Sequence, residues 1–353
     1  MIMPAVIGVD SSKLPPAPLA SGGSSAHAVL EQVVELGFGG VLFRSILDLD
    51  PSLDPAALGE VRAHADDLGL RLEAGIAKVN PYMTAELPEV RDLGGGDYVR
   101  GLQLMIEAAA SIGITELWTA TAGWKRQYPG RLQYDRFRTD APWGDQLRAI
   151  ERLLLLLRPA LLDAGCHLNV ETHEEITSVE VVRLVEAVGP DAIGITFDVA
   201  NVAVRGELPS LAAQRCAPYT RMSHLRDIAL WPTPSGFLRF VVPFGEGVID
   251  WRSVLTPLAA APLSMVTIEG LELGGLRSRK PVDVADPEWV AGHPDLDAGE
   301  VSALRALAES YRGRAEAGDV PDLAELSGAG DQADFLTAGR DFLTRSLLQE
   351  CPA

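Results

Sequence analysis

Residues 166–175 read CHLNVETHEE, and residues 192–201 read AIGITFDVAN. Each begins as a short apolar run and closes on an acid, Glu171 in the first and Asp198 in the second. Runs of this length bounded by polar residues read as strands buried on both faces, the kind that parallel sheets use. The pattern recurs downstream, where residues 221–223 lead to His224 and residues 264–268 (SMVTI) lead to Glu269. The first three of these groups follow one another at roughly the length of one strand-plus-helix unit; the fourth comes after a longer gap. Ionisable groups at the same end of successive parallel strands converge on one point when the sheet closes into a barrel. Three carboxylates and an imidazole meeting there make a divalent-metal site.

Working outward, short β-like runs alternate with amphipathic helical patterns along the chain, which argues for a parallel sheet. Eight strands are expected, at residues 5–9, 40–43, 71–74, 116–119, 168–170, 193–197, 222–223 and 265–268. Helical patterns lie between them at 26–36, 55–68, 98–112, 144–164, 178–188 and 251–259. Four helices end on a glycine just before the next strand (Gly37, Gly69, Gly113, Gly165), the usual place for a left-handed stop. Thr177 or Ser178 reads as an N-cap for the EVVRLVEAV run. No GxGxxG follows the first strand, which disfavours a dinucleotide fold. The expected class is α/β: a (β/α)8 TIM barrel with a C-terminal helical extension. Residues 1–270 would form the barrel body and 271–330 a Gly/Pro/Asp-rich connector with an extra helix near 300–317. Residues 331–353 would form a C-terminal helix packing on the barrel. Residues 80–97 and 124–143 read as long loops on the catalytic face.

The chain has 353 residues, 47% hydrophobic and 22% charged, the balance of a globular core. A formal charge of −19 speaks against a nucleic-acid surface, which needs a basic stripe. Three cysteines without paired spacing give no disulfide framework and fit a reducing compartment. The start, MIMPAVIGVD, lacks a basic n-region and reads as no signal peptide, and no apolar stretch is long enough for a membrane span. A cytoplasmic protein is the expectation.

A Glu/Asp/His/Glu donor set suits Mn²⁺ first, with Mg²⁺ or Co²⁺ as alternatives. Three carboxylates would overneutralise such an ion and leave one to act as a base. The ion would polarise a substrate carbonyl and ease removal of the neighbouring proton, with Glu171 and Glu269 serving two faces of the substrate. Taken singly, an acid at a strand end is more often a helix cap or a salt-bridge partner. Four in register at the catalytic face of a barrel are not.

Other residues carry two readings each. His173 shares the facing of Glu171 if the strand continues, making it a general acid/base or else a loop histidine. Glu174 and Glu175 read as solvated acids at a helix start, and Arg226 as a surface salt bridge. Asn201 offers an amide to a substrate hydroxyl or to its own loop. Asp227 would orient His224 or a water. Arg44 and Lys78 face the barrel mouth, suited to a hydroxyl or a carboxylate. Trp124 and Trp231 would stack on a sugar ring or anchor their loops. His27, His64 and His167 read as structural.

The segments NVETH, ITFDVAN, SHLRD, PFGEGVIDW and VTIEG resemble the xylose isomerase-like TIM-barrel superfamily of sugar isomerases, epimerases and the endonuclease IV branch. The resemblance is specific over about residues 166–270. It implies metal ligands at Glu171, Asp198, His224 and Glu269, and a proton-transfer pair at Glu171 and Glu269. Ketose epimerases usually have histidine where Asn201 stands, and the six histidines here are too few for the endonuclease cluster. The ExH pair of Glu171 and His173 looks more like the large subunit of C-glycoside deglycosidases, which act on 3-oxo-glycosides with a small partner subunit. The expected function is a divalent-metal-dependent sugar isomerase or epimerase abstracting a proton alpha to a carbonyl. A lyase or deglycosidase is the alternative enzyme, and a non-catalytic sugar-binding barrel the alternative outside enzymes. The expected partner is a small sugar-derived substrate, without nucleic acid or membrane, in a homo-oligomer or with a small partner subunit. No phosphate site is evident, which favours an unphosphorylated substrate.

Overall fold

The computed structural model describes residues 6–15, 25–83, 87–123, 125 and 127–349. Eight strands form a closed parallel barrel: β1 (Ile7–Asp10), β2 (Gly40–Phe43), β3 (Arg71–Gly75), β4 (Glu116–Thr119), β5 (His167–Glu171), β6 (Ile193–Asp198), β7 (Thr220–Leu225) and, after an excursion, β10 (Val266–Ile268). All eight expected strands are present, and the seventh, read from two residues, is six long. Around them lie α1 (Ala26–Glu35), α2 (Pro55–Asp67), α4 (Tyr98–Ser111), α5 (Trp143–Ala164), α6 (Ser178–Val188), α7 (Pro209–Cys216) and α8 (Trp251–Leu258), with α3 (Pro88–Leu93) inserted before α4.

Gly37, Gly69, Gly113 and Gly165 have φ of 75°, 70°, 76° and 65°, the left-handed stop expected of them. Thr177 caps α6 reciprocally with Glu180 in a capping box. These joints set the strand ends, and strand ends set the site. At the β6–β7 pair a bulge between Ile195 and Thr196 resets the register so that Asp198 stands directly opposite His224. On the other side of β7, His224 pairs with Thr267 of β10.

The excursion after β7 is the main departure from the expected chain. Residues 227–242 form a hairpin, β8 (Asp227–Thr233) and β9 (Gly236–Val242), and β11 (Lys280–Val282) adds antiparallel to β9. This three-stranded sheet packs on α10 (Ala298–Glu316) through Ile228, Phe237, Leu304 and Ala308 on one side and Phe240 and Tyr311 on the other. Trp231 belongs to β8 and packs in that second cluster, so it is an anchor of the small sheet, not a loop aromatic open to a sugar. The short helices α9 (Pro287–Ala291) and α11 (Leu323–Leu326) flank α10. Helix α12 (Gln332–Gln349) buries Phe335, Leu336 and Leu343 in the main core, and Phe342 meets Phe244 and Trp251. The loop after β4 is pinned at Arg136, a buried side chain bonded to Glu180 at 2.6 Å and to the carbonyls of Glu175 and Gly292. No helix among the described residues is long and apolar enough to cross a membrane.

One buried acid makes a testable point about stability. Glu73 on β3 receives the Ser264 hydroxyl at 3.1 Å, while its second oxygen has no partner. Burial pushes its carboxyl up to about 8, so it is held neutral. Because the folded value lies above the ordinary 4.5, this group's contribution is complete below about 4.5 and is lost as pH rises through about 8. Glu73→Gln should flatten that decline, which has a limiting slope of about 1.4 kcal/mol per pH unit. Thermal unfolding of both proteins across that window checks it; parallel curves would contradict it.

Candidate metal centre

Glu171 closes β5, Asp198 closes β6, His224 is the penultimate residue of β7, and Glu269 follows β10. All four are buried, and one ligand atom from each lies within 4.8 Å of all the others. The convergence expected from the strand ends is therefore real. His224 Nδ1 lies 3.2 Å from Glu171 Oε1 and 3.7 Å from Glu269 Oε2. Its Nε2 is buried without a hydrogen-bond partner.

A buried imidazole nitrogen set between two carboxylates needs a hydrogen or a cation between it and them. The residues thus fit a divalent ion, and an oxygen-rich set with one nitrogen suits Mn²⁺, Mg²⁺ or Co²⁺ better than a thiolate metal. Beneath the cluster, Trp118 donates Nε1–H to Glu171 Oε2 at 2.8 Å and packs with Leu42, Ala120 and Met222.

Basic side chains surround the carboxylates. Arg226 ion-pairs with Asp198 and lies 3.1 Å from Glu269 Oε2. Arg44 is held by Asp10 through Nε at 2.7 Å, stacks 4.6 Å from the Trp118 ring, and reaches Glu269 at 3.2 Å and Glu171 at 3.7 Å. Lys13 reaches Glu269 Oε1 at 3.2 Å. Burial pushes Asp198 up to about 6 against the pull of Arg226. Burial also opposes ionisation of Glu269 and Glu171, but Arg226, Lys13 and Arg44 hold the first, and His224 the second, well below the usual carboxylate range. The expectation that three carboxylates overneutralise an ion needs correcting. Lys13, Arg44 and Arg226 face those carboxylates, Arg44 shared with Asp10, so a divalent ion would not be overneutralised. Both glutamates are ionised, as a base must be.

The centre opens into a cavity of about 250 Å³. Arg44, Lys78, His173 and Asn201 line it, as the sequence reading expects of mouth residues. His173 Nδ1 is bonded to Glu175, whose other oxygen takes the Thr121 hydroxyl at 2.6 Å. Burial disfavours the imidazolium, yet the Glu175 charge and hydrogen bond outweigh it and raise the His173 pKa. A histidine on the cavity wall whose ring proton is held more firmly by Glu175 is placed to act as an acid. Asn201 donates to Glu171 at 3.4 Å and accepts from Arg226 at 3.2 Å, so its amide ties the cluster together at the wall.

Several expectations fail here. Asp227 neither touches His224 nor lines the cavity; its carboxylate receives the N–H groups of Ile228, Gly245, Gly247 and Ile249 and the Trp251 indole. Its strand turns away into the hairpin, and the side chain turns with it. Arg226 is buried, not a surface residue. Glu174 and Glu175 are buried too: Glu174 meets Arg239 at 2.7 Å and Lys280 at 3.1 Å, both from the small sheet. Trp124 lies outside the described residues.

Asp10, Lys13, Trp118, Ser278 and Lys280 are site residues the sequence reading missed. Asp10 had the same signal as its fellows, an apolar run closing on an acid, in IGVD. Trp118 had only period two to mark it. Lys280 comes from β11 and had no local signal at all.

A profile for the xylose isomerase-like TIM barrel matches residues 30–274, more than half the chain. The chain belongs to that family. An uncharacterised Escherichia coli (strain K12) protein, YihM, is 28% identical over 36% of this chain, which spans 40% of YihM's length. A 3-oxo-isoapionate decarboxylase of Pectobacterium atrosepticum is 25% identical over 64% of this chain and 70% of its own. Among solved structures, that of an L-ribulose 3-epimerase superposes with a TM-score of 0.57 at 17% identity, covering 99% of this chain and 97% of the other. That likeness is one of fold.

Proposed function

We propose that this member of the family is a divalent-metal-dependent enzyme that removes a proton next to the carbonyl of a sugar-derived substrate, as an isomerase or epimerase. The observation that carries the proposal is the buried convergence of Glu171, Asp198, His224 and Glu269, of which Glu171 and Glu269 line a cavity together with His173, itself bonded to Glu175. Glu171, Asp198, His224 and Glu269 would hold the ion, Mn²⁺ first, with Mg²⁺ or Co²⁺ as alternatives. When bound, it would polarise the carbonyl and lower the barrier to forming the adjacent carbanion. Glu171 and Glu269, ionised and three strands apart around the barrel, are the bases for two faces of the substrate. His173 supplies or receives the second proton, Arg44 and Asn201 position oxygen atoms, and the Trp118 indole holds Glu171 in place.

The relationship to a decarboxylase favours a second reading of the same chemistry. Loss of CO₂ from an acid whose carboxyl group stands β to a carbonyl leaves the same electron pair on the same carbon, and protonation there by His173 completes the reaction. A deglycosidase expelling a bulky aglycone fits less well, because about 250 Å³ is below the range usual for drug-sized ligands.

Proton NMR in D₂O tests both readings, with Mg²⁺-loaded protein against ketoses, inosose-like ketones and 3-oxo sugar acids. Metal-dependent deuterium uptake beside a carbonyl, abolished by EDTA, is the expected result. CO₂ release in the same samples would select the lyase. Neither uptake nor release with any compound, together with no stoichiometric metal binding, would leave only a sugar-binding barrel.

A further inference from the structure

The basic residues of the cavity are matched to acids with one exception. Lys13, Arg44 and Arg226 face the carboxylates of the centre, and Lys280 lies 3.1 Å from Glu174. Lys78, which follows β3, has no carboxylate within ion-pair distance among the described residues. Its ammonium donates to the Ala122 carbonyl at 2.7 Å and otherwise faces the cavity. Burial draws its pKa down, a charge held partly out of water, although Glu175 and Glu171, farther off than an ion pair, pull the other way. Such a group is costly to keep unless something supplies the counter-charge. A flexible lysine could turn to bulk water; this one is tethered to a backbone carbonyl at the wall.

We propose that the substrate is an acid, and that Lys78 receives the carboxylate of a sugar acid on the β3–β4 side of the cavity. This rests on the reading of the cavity as a sugar-processing site and names the class of sugar. An ammonium has three donors, and with one spent on Ala122 two remain, enough for the oxygens of one carboxylate. The strands that carry Glu171, Asp198, His224 and Glu269 lie elsewhere around the barrel, so the carboxylate need not displace the carbonyl from the centre. His173 lines the same wall. A phosphate is a poorer match, because phosphate sites gather backbone N–H groups at helix N-termini, whereas the backbone group at Lys78 is a carbonyl.

The test is isothermal titration of the Mg²⁺-loaded protein with paired ligands: D-gluconate against D-glucitol, D-glucuronate against D-glucose, and fructose 6-phosphate. The acid of each pair should bind at least about tenfold tighter, a preference worth roughly 1.4 kcal/mol. That preference should fall with added salt, vanish in Lys78→Met and survive within a few-fold in Lys78→Arg. Thermal unfolding without ligand gives an independent readout: Lys78→Met, freed of an unmatched ammonium, should melt no lower than wild type. Equal binding of the neutral partners, a preference that survives Lys78→Met, or tighter binding of the phosphate would each overturn the assignment. The two readings separate cleanly. Deuterium exchange into neutral ketoses that is indifferent to Lys78→Met sinks the acid and keeps the enolisation. Lys78-dependent acid binding without exchange in any compound does the reverse.

Discussion

Glu269→Gln is expected to lower turnover by about 10³-fold, within the range for loss of a positioned acid or base. It should also weaken metal binding by more than the roughly 10–100-fold typical of residues that only support a ligand. Glutamine keeps the size and loses the charge. Glu269 is where the basic residues of the site meet, with Arg226 at 3.1 Å, Lys13 and Arg44 at 3.2 Å and His224 at 3.7 Å. Without its carboxylate, those three cations and any bound ion are left with Glu171, Asp198 and, for Arg44, Asp10, and the ion is the component free to leave. Deuterium exchange and metal titration on the same preparation check both effects. Glu174→Gln is the control: Glu174 is equally buried and ion-paired, but its partners are Arg239 and Lys280, so metal affinity should stay within a few-fold of wild type. Full turnover in Glu269→Gln, or equal losses in both variants, would remove Glu269 from the centre.

The barrel and the four converging residues were legible because both depend on short-range pattern. A strand buried on both faces leaves an apolar run, a left-handed helix stop selects glycine, and a parallel sheet puts every strand's functional end on one side. The same rule, applied to IGVD, would have found Asp10. Arg226 stands two residues beyond His224 and so on the same face of the chain, but an arginine beside a motif carries no mark of burial. What burial requires here is the pair of acids on neighbouring strands, a fact of tertiary structure. The hairpin over residues 227–242 had a local signal in two apolar runs flanking Pro-Ser, masked by the prolines that usually argue against strand. Lys280 and Ser278 were out of reach, because β11 joins β9 across a long stretch of chain and only that pairing brings them to the cavity.

Asp227→Ala should cost roughly 3–5 kcal/mol of stability, because several buried donors lose their acceptor at once. The carboxylate receives the N–H groups of Ile228 at 2.8 Å, Gly245 at 2.9 Å and Gly247 and Ile249 at 3.3 Å, and the Trp251 indole at 3.1 Å. It therefore holds the whole turn that opens α8, which explains why HLRD and GEGVIDW belong together. Gly247 has to be glycine for the same reason: a Cβ there would stand 2.0 Å from the Asp227 carboxylate and 2.4 Å from the Ile228 carbonyl. A drop in Tm of roughly 4–7 °C is expected, while the metal affinity of the folded fraction changes little, since Asp227 bonds to neither His224 nor the cavity wall. Asp227→Asn, which keeps one acceptor oxygen, should fall between. Differential scanning calorimetry beside metal titration decides the matter. If Asp227 instead acted by orienting His224, its loss would cut metal affinity 10–100-fold with little change in Tm, the opposite pairing of effects.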